Sequence, residues 1–423
     1  MGLKVAVVGG ASTYTPELVE GFATRQARLP VDELVLYDIA PDRLDIVAGL
    51  AGRILRRQAW PGRLVSTTDR ERALEGADYV LLQLRVGGQA ARLLDETIPR
   101  RFGCVGQETT GPGGLAKALR TVPVVLDLAE AAARQAAPRA WLIDFTNPVG
   151  IVTQALLDEG HRALGLCNVP IGFQRHFAAR FSVPPEVVEL EHVGLNHLTW
   201  ERAIRVAGVD RLPELLDDAA TELGDEVGLA PGLIRTLGAL PSYYLRYYYA
   251  EREVVTEQAS ERTRAEEVAA LERELLELYR DPELDTKPAL LEQRGGAYYS
   301  EAAVQLMASL HDGRGDLQVV DVRNDGALPD LPPSAVVEVP ARVDRDGAHP
   351  LPLVPLAPEM RGLVQAVKAY EELAVAAARS GDRQVALRAM LANPLAGDYA
   401  VAEPLLRALL DAHRKSLPRF FAP

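Results

Sequence analysis

Lys4-Val-Ala-Val-Val-Gly-Gly-Ala-Ser-Thr-Tyr-Thr15 opens the chain with a short β-branched run, two glycines and a polar turn that leads into an amphipathic helical pattern. Between a strand and a helix, glycines let the backbone approach a pyrophosphate, and the helix start offers free N–H donors and the positive end of its dipole. Gly9, Gly10, Ser12 and Thr13 are therefore candidate contacts to a dinucleotide. The spacing departs from a strict G-x-G-x-x-G, so a plain tight turn competes with this reading. Asp38 closes the second apolar run, Glu33–Asp38, where a carboxylate can hold the adenosine ribose hydroxyls; a solvated turn aspartate is the alternative.

Working outward, a helix is expected over about Pro41–Gln58. Further strands are expected at Leu64–Thr67, Tyr79–Leu84, Trp141–Phe145 and Ala163–Cys167, the last two each followed by a helical pattern. This alternation predicts an α/β fold with a Rossmann-like, doubly wound parallel sheet, the architecture of lactate and malate dehydrogenases. From Glu191 the pattern changes. Strand-like stretches at His197–Val206 and Gln318–Val322 alternate with long helical ones, Glu257–Tyr279 and Leu363–Ser380, and Ala335–Pro350 reads as a strand pair around Asp346-Gly347. The expectation is a dinucleotide-binding domain over 1–195 and a second α+β lobe over 196–423 that carries substrate, metal and oligomer contacts, packed together without an evident hinge.

The composition limits the partners. At 423 residues, 48% hydrophobic and 25% charged, the chain has the balance of an ordinary globular protein with two lobes or one elaborated domain. A net charge of −13 argues against a nucleic-acid surface, although a few local arginines suffice to bind a phosphorylated small molecule. Two cysteines make no disulfide scaffold, and Met-Gly-Leu-Lys passes into a strand without a signal-peptide pattern, so a cytoplasmic location is expected. No apolar run approaches the roughly 18 residues of a membrane span.

Chemistry-bearing residues follow the expected strands. Arg85-Val-Gly-Gly and Arg92 suit bidentate capture of phosphate or sugar oxygens, although Arg92 alone could equally be a helix-surface residue. Gly106-Gln-Glu-Thr-Thr-Gly-Pro-Gly-Gly114 is too glycine-rich for a packed element and reads as a ligand-lining loop that carries Gln107 and Glu108. Asn147 can donate and accept hydrogen bonds to vicinal hydroxyls. Cys167 ends the sixth strand and His197 ends a Gly-Leu-Asn-His run. Each alone is more often a buried structural residue. Together, beside a dinucleotide fold, they suit Mn, Fe, Co, Ni or Zn with substrate oxygens completing the shell. Pro241-Ser-Tyr-Tyr-Leu-Arg-Tyr-Tyr-Tyr249 holds five tyrosines, either an aromatic helix face or the source of a phenolate base. Arg294-Gly-Gly begins a third arginine–glycine cluster.

GGASTYTPELV, RVGG with Arg92, GQETTGPGG, FTNPVGI, LCNVPIG, GLNHLTW, YLRYYY and RGGAYYSEAA together resemble the NAD- and metal-dependent glycoside hydrolases of family 4, in the family's order over roughly residues 3 to 350. That family departs from the paired carboxylates of most glycosidases. The resemblance implies hydrolysis by elimination. NAD⁺ takes hydride from C3 of the sugar and a metal polarises the ketone. A tyrosine then removes the acidified C2 proton, the C1 substituent leaves, water adds and the hydride returns.

On the matching positions, the resemblance implies Cys167 and His197 as metal ligands, manganese being the first choice, and Asn147, Arg92 and Arg294 as substrate contacts. Tyr244 matches the base best, with Tyr243 and Tyr247 as close rivals. Position 168 departs from the α-glucosidase members, which carry Asp there as a candidate acid for the leaving group; Asn168 points to 6-phospho-β-glucosides. Ala11 replaces a usual glycine, a tolerable change. A phosphorylated sugar is the implied partner, and a homodimer or homotetramer the expected assembly.

Two other readings compete. A plain NAD-dependent hydroxy-acid dehydrogenase would share the fold, release NADH and need no metal, leaving Cys167 with His197 unexplained. A non-enzymatic NAD-sensing regulator would bind nucleotide without turnover and leave the arginine clusters unexplained. Fold alone does not separate them.

Overall fold

The computed structural model describes residues 2–296 and 298–421, so Ala297, within the Arg294–Ser300 motif, lies outside the described residues, as do the extreme ends of the two expected domains. The strands are β1 Leu3–Val8, β2 Val31–Tyr37, β3 Arg63–Thr67, β4 Tyr79–Leu82, β5 Trp141–Asp144, β6 Ala163–Gly165, β7 Val188–Leu195, β8 Leu198–Val206, β9 Val209–Asp210, β10 Leu240–Pro241, β11 Asp316–Arg323, β12 Val336–Asp344 and β13 Gly347–Pro350. β1 to β6 are parallel in the order β3-β2-β1-β4-β5-β6, the doubly wound arrangement expected from the sequence. The central strands are apolar on both faces because helices cover both sides: Val5, Ala6, Val7, Leu81 and Ile143 are fully buried.

Two glycines set the crossing from β1 to the first helix. Gly9 has φ +89°, and a Cβ there would lie 2.8 Å from the Gln83 carbonyl oxygen. A Cβ on Gly10 would lie 2.8 Å from Leu36 Cβ. Neither position admits a side chain without moving β2 or the end of β4.

The second half of the chain departs from the expectation of a lobe with its own strands. β11, β12 and β13 add antiparallel to the edge at β6, with Asp321 opposite Gly165, and produce one nine-stranded sheet shared by both halves. Only β7 to β10 form a separate small sheet. The boundary expected after residue 195 falls in the two-residue turn of the β7–β8 hairpin. The helix expected over Glu257–Tyr279 is two helices, Glu251–Gln258 and Arg264–Arg280. Thr263 ends the continuity: its hydroxyl accepts from Glu266 N–H and the Glu266 carboxylate accepts from Thr263 N–H, a reciprocal cap that starts a new helix.

A satellite apolar cluster explains how the small sheet is placed. The Asn168–Phe181 helix, which starts directly after Cys167, buries Val169, Phe173 and Phe177 against Val188 and Leu190 of β7 and Ile204 of β8. That packing holds the open end of the β7–β8 hairpin, while Val193, Leu195, Leu198 and Trp200 beside its turn belong to the main core.

Candidate active site

A cavity of about 1120 Å³ runs across the carboxyl ends of β1, β2, β4 and β5, where doubly wound sheets bind their ligands. One end is lined by Gly9, Ser12, Asp38 and Arg43, the other by Glu108, Lys117, Asn147, Asn168, Tyr243 and Tyr244. At the first end the Gly9 and Gly10 N–H groups donate to the Tyr37 carbonyl at 3.0 and 2.8 Å, closing the turn. Asp38 organises the same turn: its carboxylate accepts from Ala11 N–H at 3.0 Å and Ala40 N–H at 3.1 Å. Gly10 and Thr13 are packed behind the cavity wall; Thr13 is fully buried.

Arg294 lies against this turn. Its Nε donates to Thr13 Oγ1 at 2.7 Å and its Nη2 pairs with Glu272 at 3.3 Å, while the side chain still lines the cavity. Glu272, from the Arg264–Arg280 helix, also pairs with Arg43 at 3.1 Å. Burial alone would raise its pKa, but Arg294 and Arg43 outweigh this and hold the carboxyl below its ordinary value. Neither Glu272 nor Arg43 was singled out in the sequence, because both sit on ordinary helices.

The opposite wall is built around Glu108. Its carboxylate accepts from Arg85 and from Lys117 at 2.6 Å, and Arg92 lies 3.3 Å away while bonding Glu96 at 2.6 Å. Burial opposes the charge, but Arg85, Lys117 and Arg92 overcome it and keep Glu108 well below the usual carboxylate range. Burial, then Arg85, lowers the Lys117 ammonium to about 7. Lys117 lies inside the Gly111–Gln135 helix, and no local pattern marks it. The Arg85 and Arg92 clusters expected from the sequence thus meet the loop residue Glu108. The Asn147 side chain lines the same cavity, and its Oδ1 is buried without a hydrogen-bond partner, an acceptor left for a ligand.

The remaining residues gather behind this wall. Asn168, the first residue of its helix, lines the cavity, and Cys167 precedes it as a buried N-cap residue. His197 sits in the β7–β8 turn with φ +62°, sparsely populated for a residue with a side chain. Its Nδ1 is 3.0 Å from Thr109 Oγ1, next to Glu108. The Tyr244 ring stacks on its imidazole at 3.6 Å, and Tyr243 lies 4.5 Å from Tyr244 between centroids. His197 lines a small neighbouring cleft of about 20 Å³ and does not itself line the main cavity. Tyr244 connects the two.

Electrostatically these groups suit a soft cation. Burial, then Lys117, lowers His197 to about 3, leaving the neutral imidazole that a metal ion requires. Burial, then Glu338, pushes the Cys167 thiol well above its ordinary value, so a metal would have to displace its proton. Among the described residues no group of three or more His, Cys, Asp and Glu side chains is assembled for a metal. Two protein donors would leave coordination positions for substrate oxygens.

Among the described residues no helix is long and apolar enough to cross a membrane. The Family 4 glycosyl hydrolase model matches residues 4–183, and the Family 4 glycosyl hydrolase C-terminal domain model matches residues 192–396. A probable 6-phospho-β-glucosidase of Bacillus subtilis strain 168 is 42% identical over 99% of this chain and 98% of its own length. The 6-phospho-β-glucosidase of Thermotoga maritima, solved with manganese, NAD⁺ and glucose-6-phosphate, superposes with a TM-score of 0.93 at 34% identity, covering 98% of this chain and 99% of that one. Malate dehydrogenase of Plasmodium falciparum, at 15% identity and a TM-score of 0.53 over 92% of this chain and 99% of that one, shares the fold alone. With both halves matched and relatives alike along nearly the whole length, the chain belongs to family 4 of the glycosyl hydrolases.

Proposed function

We propose that this chain hydrolyses 6-phospho-β-glucosides, using NAD⁺ and a divalent metal ion, manganese first. The observation that carries the reading is Tyr244, which lines the cavity shared with the dinucleotide turn and stacks at 3.6 Å on His197. An oxidising cofactor and a proton-abstracting group then serve one chamber. When bound, the dinucleotide supplies reversible hydride transfer and the metal ion supplies Lewis acidity. Cys167 and His197 would hold the ion. Tyr244 takes the proton from C2 of the sugar, exchanges it with solvent and delivers a solvent-derived proton back to C2, and Asn147 presents its free carbonyl oxygen to a sugar hydroxyl. Arg92, with Arg85, directs positive charge at the substrate end. Arg294 orders the Ser12–Thr13 side of the dinucleotide turn and faces the substrate between the two ends.

Asn168 supports β-linked substrates, because the α-glucosidase members that the sequence resembles carry Asp at this position. The likeness to two 6-phospho-β-glucosidases points the same way. We also propose a cytoplasmic location and a homodimer or homotetramer. Hydrolysis of p-nitrophenyl β-glucoside and its α-anomer, each with and without 6-phosphate and with NAD⁺ and Mn²⁺ added or withheld, tests the assignment. Turnover should require the phosphate, the β-linkage and both cofactors. Turnover of the α-anomer alone would overturn the β-assignment, and activity without added or bound NAD⁺ would overturn the redox one.

A further inference from the structure

Beneath the metal-ligand turn lies a buried charged trio that the reaction scheme does not use. His192 on β7 faces Glu201 across the hairpin, Nδ1 to Oε1 at 2.5 Å, and reaches Glu338 on β12, Nε2 to Oε1 at 2.8 Å. All three side chains are essentially inaccessible to solvent. The second oxygen of Glu338 accepts from Asn196 Nδ2 at 2.7 Å. Asn196 and His197 are the two residues between β7 and β8. We infer that Glu338, oriented by His192, positions the His197 metal ligand by anchoring Asn196 to the large sheet.

The turn needs such an anchor. A positive φ at His197 persists only where the surroundings over-determine it. The Tyr244 stack and the Thr109 contact hold the ring but come from a single-turn 3₁₀ helix and a loop, not from a sheet. Among the hydrogen bonds of the described residues, Asn196 to Glu338 is the side-chain bond that ties this turn to the nine-stranded sheet. Burying an imidazole with two carboxylates is seldom better for stability than an apolar trio of the same size. A role in orientation accounts for the trio, since partners behind a metal's ligands fix their geometry and strengthen binding.

The inference rests on Cys167 and His197 as the metal ligands. Free Mn²⁺ is followed by electron paramagnetic resonance while NAD⁺-loaded enzyme is titrated without substrate. NAD⁺ affinity and melting temperature are measured in parallel. E338A and N196A should each weaken Mn²⁺ binding about 10- to 100-fold with NAD⁺ affinity unchanged. Because they remove one tether, the double variant should be no weaker than the weaker single. E338Q keeps one acceptor oxygen for Asn196, with its NH₂ able to donate to His192 Nε2 only once that imidazole is neutral, and should lose less than E338A. Wild-type Mn²⁺ affinity in folded E338A and N196A, additive losses, or a loss in E338Q equal to that in E338A would each overturn the tether. Should E338A fail to fold, N196A at the hairpin tip decides. If C167S binds Mn²⁺ as wild type does, the ligand assignment falls. If C167S loses binding while N196A keeps it, only the tether falls.

Discussion

The Tyr244 ring lies nearly parallel to the His197 imidazole, with centroids 3.6 Å apart and planes 13° from coplanar. This face-to-face contact delivers a phenol to the hairpin turn and leaves it lining the cavity. Burial, then Tyr243 and Cys167, keeps that phenol well above its ordinary pKa. A cation entering the site would favour the phenolate, which would tie the strength of the proposed base to occupancy.

Tyr244→Phe should keep the stack and lose only the hydroxyl. Its kcat should fall by roughly 10²- to 10⁴-fold, the usual contribution of a positioned base, with Mn²⁺ and NAD⁺ affinities near wild type. Tyr243 is 42% exposed, and Tyr243→Phe should lose far less. The opposite ranking would move the base to Tyr243.

Cys167→Ser should abolish turnover while NAD⁺ binding survives, because the dinucleotide turn and the thiol lie at different strand ends. Wild-type enzyme stripped with EDTA should be inactive and recover with Mn²⁺. Full activity after exhaustive chelation would exclude the metal.

The arginines of the Glu108 cluster predict a strong preference for phosphorylated substrate. Several charge-assisted hydrogen bonds at roughly 1.5–3 kcal/mol each should separate kcat/KM for the 6-phosphorylated and plain β-glucosides by orders of magnitude. Equal kcat/KM values would assign the arginines another task.

His192 gives a pH prediction for stability. Burial works against its charge, but Glu201 and Glu338 outweigh it and raise its pKa from 6.5 to about 10. A raised folded pKa contributes stability that is fully present below 6.5 and lost as pH rises through about 10. Melting temperature should therefore fall more steeply between pH 7 and 10 in wild type than in H192N. Parallel curves would mean that His192 is the neutral imidazole in the folded protein.

Much of the nucleotide half was legible because strands buried on both faces give unbroken apolar runs, and their ends place Asp38, Asn147 and Cys167 on one edge. β11 to β13 carried the strand pattern but not the address. Alternation says that a strand is half-buried, whereas the pairing of Asp321 with Gly165 joins residues far apart in the chain. The break before Thr263 was written locally, in a Thr-x-x-Glu box within a long helical pattern. In the site, the proposed metal ligands Cys167 and His197 were singled out by their residue types and neighbours. The partners of Glu108 come from three separate elements, and Glu338 reaches the locally paired His192 and Glu201 only when β7 packs on β12, so no spacing could have announced it.

Elimination through a C3 ketone is the central claim, since an ordinary glycosidase leaves the C2–H bond intact. Hydrolysis of a 6-phospho-β-glucoside carried through many turnovers in D₂O, with the product's C2 position read by nuclear magnetic resonance, tests it most directly. The account predicts deuterium at C2 with no net accumulation of NADH. Product bearing only hydrogen at C2 would contradict it.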